Sequence, residues 1–354
     1  MNIKSRQIGF DLLKIISCIS VIIIHMSAYV LNTISVDTLQ YKIASSYAGV
    51  VHFSVGVFVM ITGAFLLSRD EMSKKKIFKH YILKVGLIYI ITSMIYKIFY
   101  YNGGDLNNLS INIIFGMFIR TLAGSSHLHL WYLYMLLGLY LIYPLIYKLV
   151  RKSNKEELKY TLIVLLFLSS ILFSINELLG LLKVDFRIST ELKLSIYIFY
   201  FIAGFYLYKY NLSKRKSILL ISLIPISSIF TIILSNIRAL QIKAFSLNFI
   251  NYESINIVLS ALGMFYLFKL INKKIKFSEN ISKMIYFLSK ETLGIYLIHL
   301  LVMDYIYKKN IINFNLIGNV LLIPIYSIVV FSICFIIVYF VKYLCKVVKK
   351  IIVN

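Results

Sequence analysis

The feature that most constrains this chain is a succession of ten apolar runs, each of seventeen residues or more. They lie at 8–31, 44–67, 81–101, 130–150, 160–181, 192–208, 217–234, 254–270, 281–307 and 317–341. An α-helix rises 1.5 Å per residue, so runs of this length cross the roughly 30 Å of hydrocarbon in a bilayer. Inside lipid no water satisfies the backbone, which leaves the helix as the structure such runs can adopt. Composition excludes the soluble alternative: 60% of the 354 residues are hydrophobic and 15% charged, with a mean hydropathy of +0.84. The expected fold is all-α, a polytopic membrane helix bundle of about ten transmembrane helices forming one integral-membrane domain over 1–354. Pro225 falls inside the seventh run, where a kink rather than a break is expected. Asp11 and Lys14 interrupt the inner end of the first run and nine more follow it. That segment is therefore expected to be retained rather than cleaved as a signal peptide.

The formal net charge is +24, but no basic domain stands apart and no nucleic-acid-reading motif is present, so nucleic acid is not an expected partner. The charges sit in short tracts between the runs, such as Lys74-Lys75-Lys76, Lys214-Arg215-Lys216 and Lys273-Lys274. The N-terminus and every second loop hold 25 Lys and Arg, and the alternate loops hold 9. By the positive-inside rule both termini face the cytoplasm, in a multi-pass protein of the plasma or inner membrane. The longest external loop, 102–129, contains an apolar stretch at 111–122 with Arg120, which suits the membrane interface. Cys18, Cys334 and Cys345 lie too far apart for a CxxC metal or redox motif.

An ionisable group within a span costs several kcal/mol unless paired or hydrated, which makes each one a functional candidate. Asp11, Lys14 and His25 share the first run. Asp11 and Lys14 are spaced i,i+3 and can neutralise each other. His25 lies eleven residues beyond Lys14, about 16 Å along the axis and within about 20° of the same face. The same residues fit an orientation anchor plus a structural histidine equally well. His52, His127, His129 and His299 also fall in outer halves or external edges, and His80 alone is cytoplasmic. Histidine suits proton transfer near neutral pH. No HxxxH or HxxE pair occurs on one helix, so no metal site is expected. No GxSxG elbow supports a serine hydrolase. The tract Lys74-Lys75-Lys76 with Lys79, His80 and Lys84 can grip phosphates, or anionic lipid headgroups. Trp131, the only tryptophan, fits an interfacial anchor.

Taken in order, these residues resemble the acyltransferase-3 family of integral-membrane acyltransferases. The branch most resembled is that of the surface-polysaccharide O-acyltransferases, among them the O-acetyltransferases of enterobacterial common antigen. GFDLLKIISCISVIIIH carries the acidic residue, the basic residue three later and the histidine eleven beyond. SVGVFVMITGAFLL resembles the second-span element, with Thr62-Gly63 where Ser-Gly is usual. HLHLWYLYMLLGLYLIYPLI matches at His129, Trp131, Tyr132 and Pro144. FYFIAGFYLYK matches at Gly204, and ETLGIYLIH at Gly294, Tyr296 and His299. The chain departs from the family pattern where Lys76-x-x-Lys79 stands for Arg-x-x-Arg. Lysine binds phosphate as a point charge rather than bidentately.

The resemblance implies transfer of an acyl group, commonly acetyl, from cytoplasmic acyl-CoA to a hydroxyl of a cell-surface glycan or glycolipid. Acetyl-CoA is then a donor substrate, membrane lipids surround the protein, and no tightly bound cofactor is expected. It implies catalysis by His25 with Asp11 and Lys14, His25 acting as general base or as a covalent acyl carrier. Donor phosphates fall to Lys14, Lys76 and Lys79, and the acceptor side to His129, Trp131, Tyr132, Tyr296 and His299. An extended pantetheine arm is about as long as the roughly 16 Å between Lys14 and His25. The rival class is a transporter or export accessory for glycan precursors. Transporters commonly carry paired repeats with matching broken helices, and Pro144, Pro225 and Pro324 do not pair. A sensor would carry an effector domain. High Lys, Ile and Asn usage fits a bacterium with an AT-rich genome. The charge asymmetry predicts that a cysteine placed at Asn107, in a background without Cys18, Cys334 and Cys345, labels with an impermeant maleimide in intact cells. Labelling only after permeabilisation would contradict this topology.

Overall fold

In the computed structural model the described residues are 7–101, 109–124, 129–189 and 194–353, and among them there is no strand. The helices in chain order are α1 (Ile8–Thr33), α2 (Leu39–Val51), α3 (Ser54–Leu67), α4 (Lys74–Ile77), α5 (Leu83–Phe99), α6 (Ile111–Leu122), α7 (Trp131–Lys152), α8 (Lys155–Leu166), α9 (Leu172–Leu181), α10 (Ile196–Lys209), α11 (Lys214–Ile242), α12 (Ile255–Lys274), α13 (Glu279–Ser289), α14 (Thr292–Lys308), α15 (Ile317–Leu321) and α16 (Ile323–Val353). The architecture is all-α and polytopic. Among the described residues eight helical stretches are long and apolar enough to cross a membrane, and the pair α13–α14, bent by 57°, makes a ninth.

The spans differ from the sequence reading in instructive ways. The second is one stretch, Leu39–Leu67, interrupted at His52–Phe53 between α2 and α3. The third begins inside the basic tract. The Ser73 hydroxyl accepts the Lys76 N–H at 3.3 Å, a side-chain cap that starts α4 at Lys74, and a π-helical turn at Phe78–Ile82 carries it into α5. Lys76, Lys79 and His80 therefore lie on a helix, not in a loop. α11 runs unbroken through Pro225. The sixth run becomes α10, whose 14 residues reach about 21 Å, short of the hydrocarbon thickness. Leu192, the expected start of that run, lies outside the described residues, as do 102–108 and 125–128 of the 102–129 loop. The 111–122 stretch is helical, as α6.

The contacts divide the chain into two compact units, 1–68 with 159–354, and 69–158. Within the first, α1 packs against α2, α3, α12, α13, α14 and α16. Its exposed-backbone problem at the N-terminus is met from another helix: Asn272 Oδ1 on α12 accepts the Gly9 N–H at 2.9 Å, and its amide donates to Gln7 Oε1. The tightest approach is between α3 and α10. A methyl group added at Gly63 would run into the Phe201 carbonyl, and one at Gly204 into the Met60 carbonyl. Helices in lipid gain packing, not water release, by approaching closely, which is why small residues face each other there. Within the second unit, α5 packs on α6 and α7, and the Tyr89 hydroxyl donates to the Thr121 carbonyl at 3.1 Å.

The reciprocal contact yields a prediction. Gly204→Ala or Gly63→Ala forces α3 and α10 apart and should destabilise the folded protein by about 1–3 kcal/mol. Gly138→Ala, where the added carbon meets nothing within 4 Å, serves as the control. Thermal unfolding of detergent-purified protein checks this; equal midpoints for all variants would contradict the close packing.

Candidate functional site

α1 carries two polar sites. Over its first two turns Lys14 Nζ lies 3.2 Å from Asp11 Oδ1. Asp11 is buried, and the ammonium also stands 5.7 Å over the Phe65 ring. Phe10, Phe65, Tyr208 and Phe265 pack edge to face or tilted around this turn. The pair thus sits in an aromatic nest, with Lys14 the more exposed partner.

Further along α1, the His25 ring stands 5.2 Å, centroid to centroid, from the ring of His299 on α14. His299 is fully buried. Its Nδ1 lies 2.7 Å from the Tyr296 carbonyl. A carbonyl only accepts, so Nδ1 carries the proton and, in the neutral ring, Nε2 holds the lone pair. Tyr296 packs its own ring against His299 at 5.8 Å. One turn beyond His25, Tyr29 stacks on Tyr307 at 4.2 Å, and Phe314 touches both. The structure thus brings His25, His299 and Tyr296 together from helices 274 residues apart in the chain. It places Asp11 and Lys14 on the same helix.

The remaining candidates lie elsewhere. His52 is buried at the break between α2 and α3, with Nδ1 on the Ala48 carbonyl at 2.9 Å and its ring 5.5 Å from Tyr252. In the 69–158 unit, buried His129 meets Tyr96 edge to face at 5.0 Å. Trp131 and Tyr132 pack ring to ring at 6.4 Å, and Lys76 and Lys79 are exposed. His127 lies outside the described residues. Among the described residues no three His, Cys, Asp or Glu side chains converge as a metal site would need.

Several charged groups escaped the sequence reading. Glu177 is 6% exposed on α9. It accepts the Phe249 N–H at 2.8 Å and the Ser254 hydroxyl at 2.7 Å. Phe249 has a left-handed backbone, φ 64°, and its carbonyl accepts from Asn256 Nδ2 at 2.6 Å. The carboxylate therefore holds a strained loop residue and the start of α12. Buried Lys269 on α12 donates to the Leu207 and Tyr210 carbonyls, closing the end of α10. Buried Glu291, at the α13–α14 bend, pairs with Lys342 and Lys290. The rule that drew attention to Asp11 would have found all three, since each lies within an apolar run. In the 69–158 unit Arg151 donates to the Arg69 carbonyl and stands 5.1 Å over the Tyr147 ring. Arg69 donates to the Tyr81 hydroxyl at 2.6 Å, and the Tyr143 hydroxyl is within electrostatic reach of both guanidinium groups. Two exposed arginines thus meet beside Tyr81 and Tyr147.

A family model, Acyl_transf_3, described as an acyltransferase domain, matches residues 7–339. No curated protein and no solved structure matches the chain.

Proposed function

The chain belongs to the acyltransferase-3 family, a multi-pass membrane acyltransferase, and from that premise we propose what it transfers and how. The donor is cytoplasmic acyl-CoA, with acetyl as the acyl group. The acceptor is a hydroxyl of a cell-surface glycan or glycolipid of a bacterium, and both termini face the cytoplasm. The observation that carries this reading is the His25–His299 contact, on a helix whose first two turns hold the Asp11–Lys14 pair.

The chemistry needs a base for the acceptor hydroxyl. Neutral His25 takes the hydroxyl proton as the acceptor oxygen attacks the thioester carbonyl. The C–S bond then breaks, the acyl group stays on the acceptor, and the imidazolium returns the proton to the leaving thiolate, releasing free CoA. His299, whose tautomer is set by the Tyr296 carbonyl, steadies the His25 ring and shares its charge when protonated. Lys14, Lys76 and Lys79 attract the donor phosphates. Arg69 and Arg151 supply the planar, bidentate donors that lysines lack. His129, Trp131, Tyr132, Tyr296 and His299 serve the acceptor side.

Two measurements test this. With acetyl-CoA labelled in its acetyl group and cell-envelope glycans as acceptor, His25→Gln should lose base-labile transfer by about 10²–10⁴-fold, while the variant still folds and binds acetyl-CoA. The amide keeps polarity but takes no proton at neutral pH. A folded and active His25→Gln would refute the assignment and move the base to His299. On the donor side, Lys76→Gln with Lys79→Gln, or Lys14→Gln, should raise KM for acetyl-CoA by roughly 5- to 150-fold, with less change in acceptor use. An unchanged KM would remove these lysines from donor binding.

A further inference from the structure

Between α9, α11 and α12 lies a groove of about 410 Å³. Its walls are aliphatic and aromatic, chiefly Ile175, Leu178, Leu223, Ile226, Phe230 and Leu234. Ile226, Phe230 and Leu178 are exposed, so the groove opens on the outer surface of helices that pass for membrane spans. Ile226, Phe230 and Leu234 follow each other at spacing four on α11. The next position on that stripe is Arg238, one turn or about 5.4 Å further on.

Arg238 stands just beyond Leu234, the last lining residue of α11, and ties α11 to the end of α9. Its Nη1 donates to the Gly180 carbonyl on α9 at 3.2 Å and to Gln241 Oε1 at 3.3 Å. Its Nε is buried and has no hydrogen-bond partner among the described residues. Arg187 converges on the same point, with Nη2 3.8 Å from where a Cβ on Gly180 would stand. Around them Leu182, Val184 and Phe186 are exposed and alternate with Lys183 and Asp185, as in a segment at headgroup depth. Capping of α9 accounts for Nη1 of Arg238. It accounts neither for the buried Nε nor for Arg187.

We propose that this groove binds an anionic phospholipid, one hydrocarbon chain lying along the α11 stripe and the phosphate held between Arg187 and Arg238. A hydrocarbon chain restores the dispersion contacts that an unfilled apolar groove lacks. Guanidinium groups are the side chains suited to a phosphate at a lipid interface. The site is independent of the catalytic reading, since none of its residues belongs to the His25 or Lys14 surroundings.

The test is native mass spectrometry of the full-length protein in neutral detergent, titrated separately with dioleoylphosphatidylglycerol and dioleoylphosphatidylcholine. The wild type should hold the first lipid more tightly. Arg187→Gln should weaken phosphatidylglycerol binding by roughly tenfold or more and leave phosphatidylcholine unchanged. Arg187 is exposed, so this variant keeps its packing. Ile226→Trp, which fills the groove from an exposed position, should weaken both lipids. Equal wild-type affinity for the two lipids overturns the proposal. So does an Arg187→Gln protein that keeps its selectivity, or an Ile226→Trp protein that binds both lipids normally.

Discussion

Each charge and each backbone polar group in a hydrocarbon layer has to be met by the protein itself, and the arrangement of this bundle follows from that demand. Four buried ionisable side chains show how. Asp11 meets Lys14, Glu177 meets the Phe249 N–H and the Ser254 hydroxyl, Lys269 meets two carbonyls at the end of α10, and Glu291 meets Lys342. Glu177, Lys269 and Glu291 meet the chain where a helix starts, stops or bends. Burying such a charge costs far more than burying an apolar side chain, and removing one partner would leave the other exposed to that cost. The buried charges therefore fix where α10 ends, where α12 begins and where α13 turns into α14. These ends in turn determine which faces the longer helices present.

The apolar runs were legible because length and hydropathy are local properties. So was the Asp11–Lys14 spacing, since an i,i+3 pair is a property of one helix. The His25–His299 contact is of another kind. Each histidine could be placed on its own helix and in its own half of a span, but their meeting depends on how α1 and α14 pack, which no period in the sequence encodes. Arg69 and Arg151 illustrate the same limit within the 69–158 unit. They are 82 residues apart, and they meet beside Tyr81 and Tyr147 only through the packing of the unit. The break at His52–Phe53 and the bend at Lys290–Glu291 were likewise hidden, because neither carries a proline or glycine to mark it. Glu177, Lys269 and Glu291 were visible as charges in apolar runs, but what each one caps was not.

The bend explains why the two imidazoles meet. α1 and α14 touch at two levels. At the first, the Cys18 thiol donates to the Thr292 carbonyl at 3.7 Å, directly after the bend that Glu291 and Lys342 secure. At the second, His25 faces His299. The interval is seven residues on each helix, from Cys18 to His25 and from Thr292 to His299. Both partners' numbers rise together by seven, so the two helices run in the same direction and in register, and seven residues bring each back to nearly the same face after two turns. A straight continuation of α13 into α14 would carry His299 away from this register, because the 57° change of direction falls only two turns before it. The Glu291–Lys342 pair lies about 10 Å of helix before the histidine pair. A group at the bend bears on the distance and tilt of one imidazole against the other without touching either.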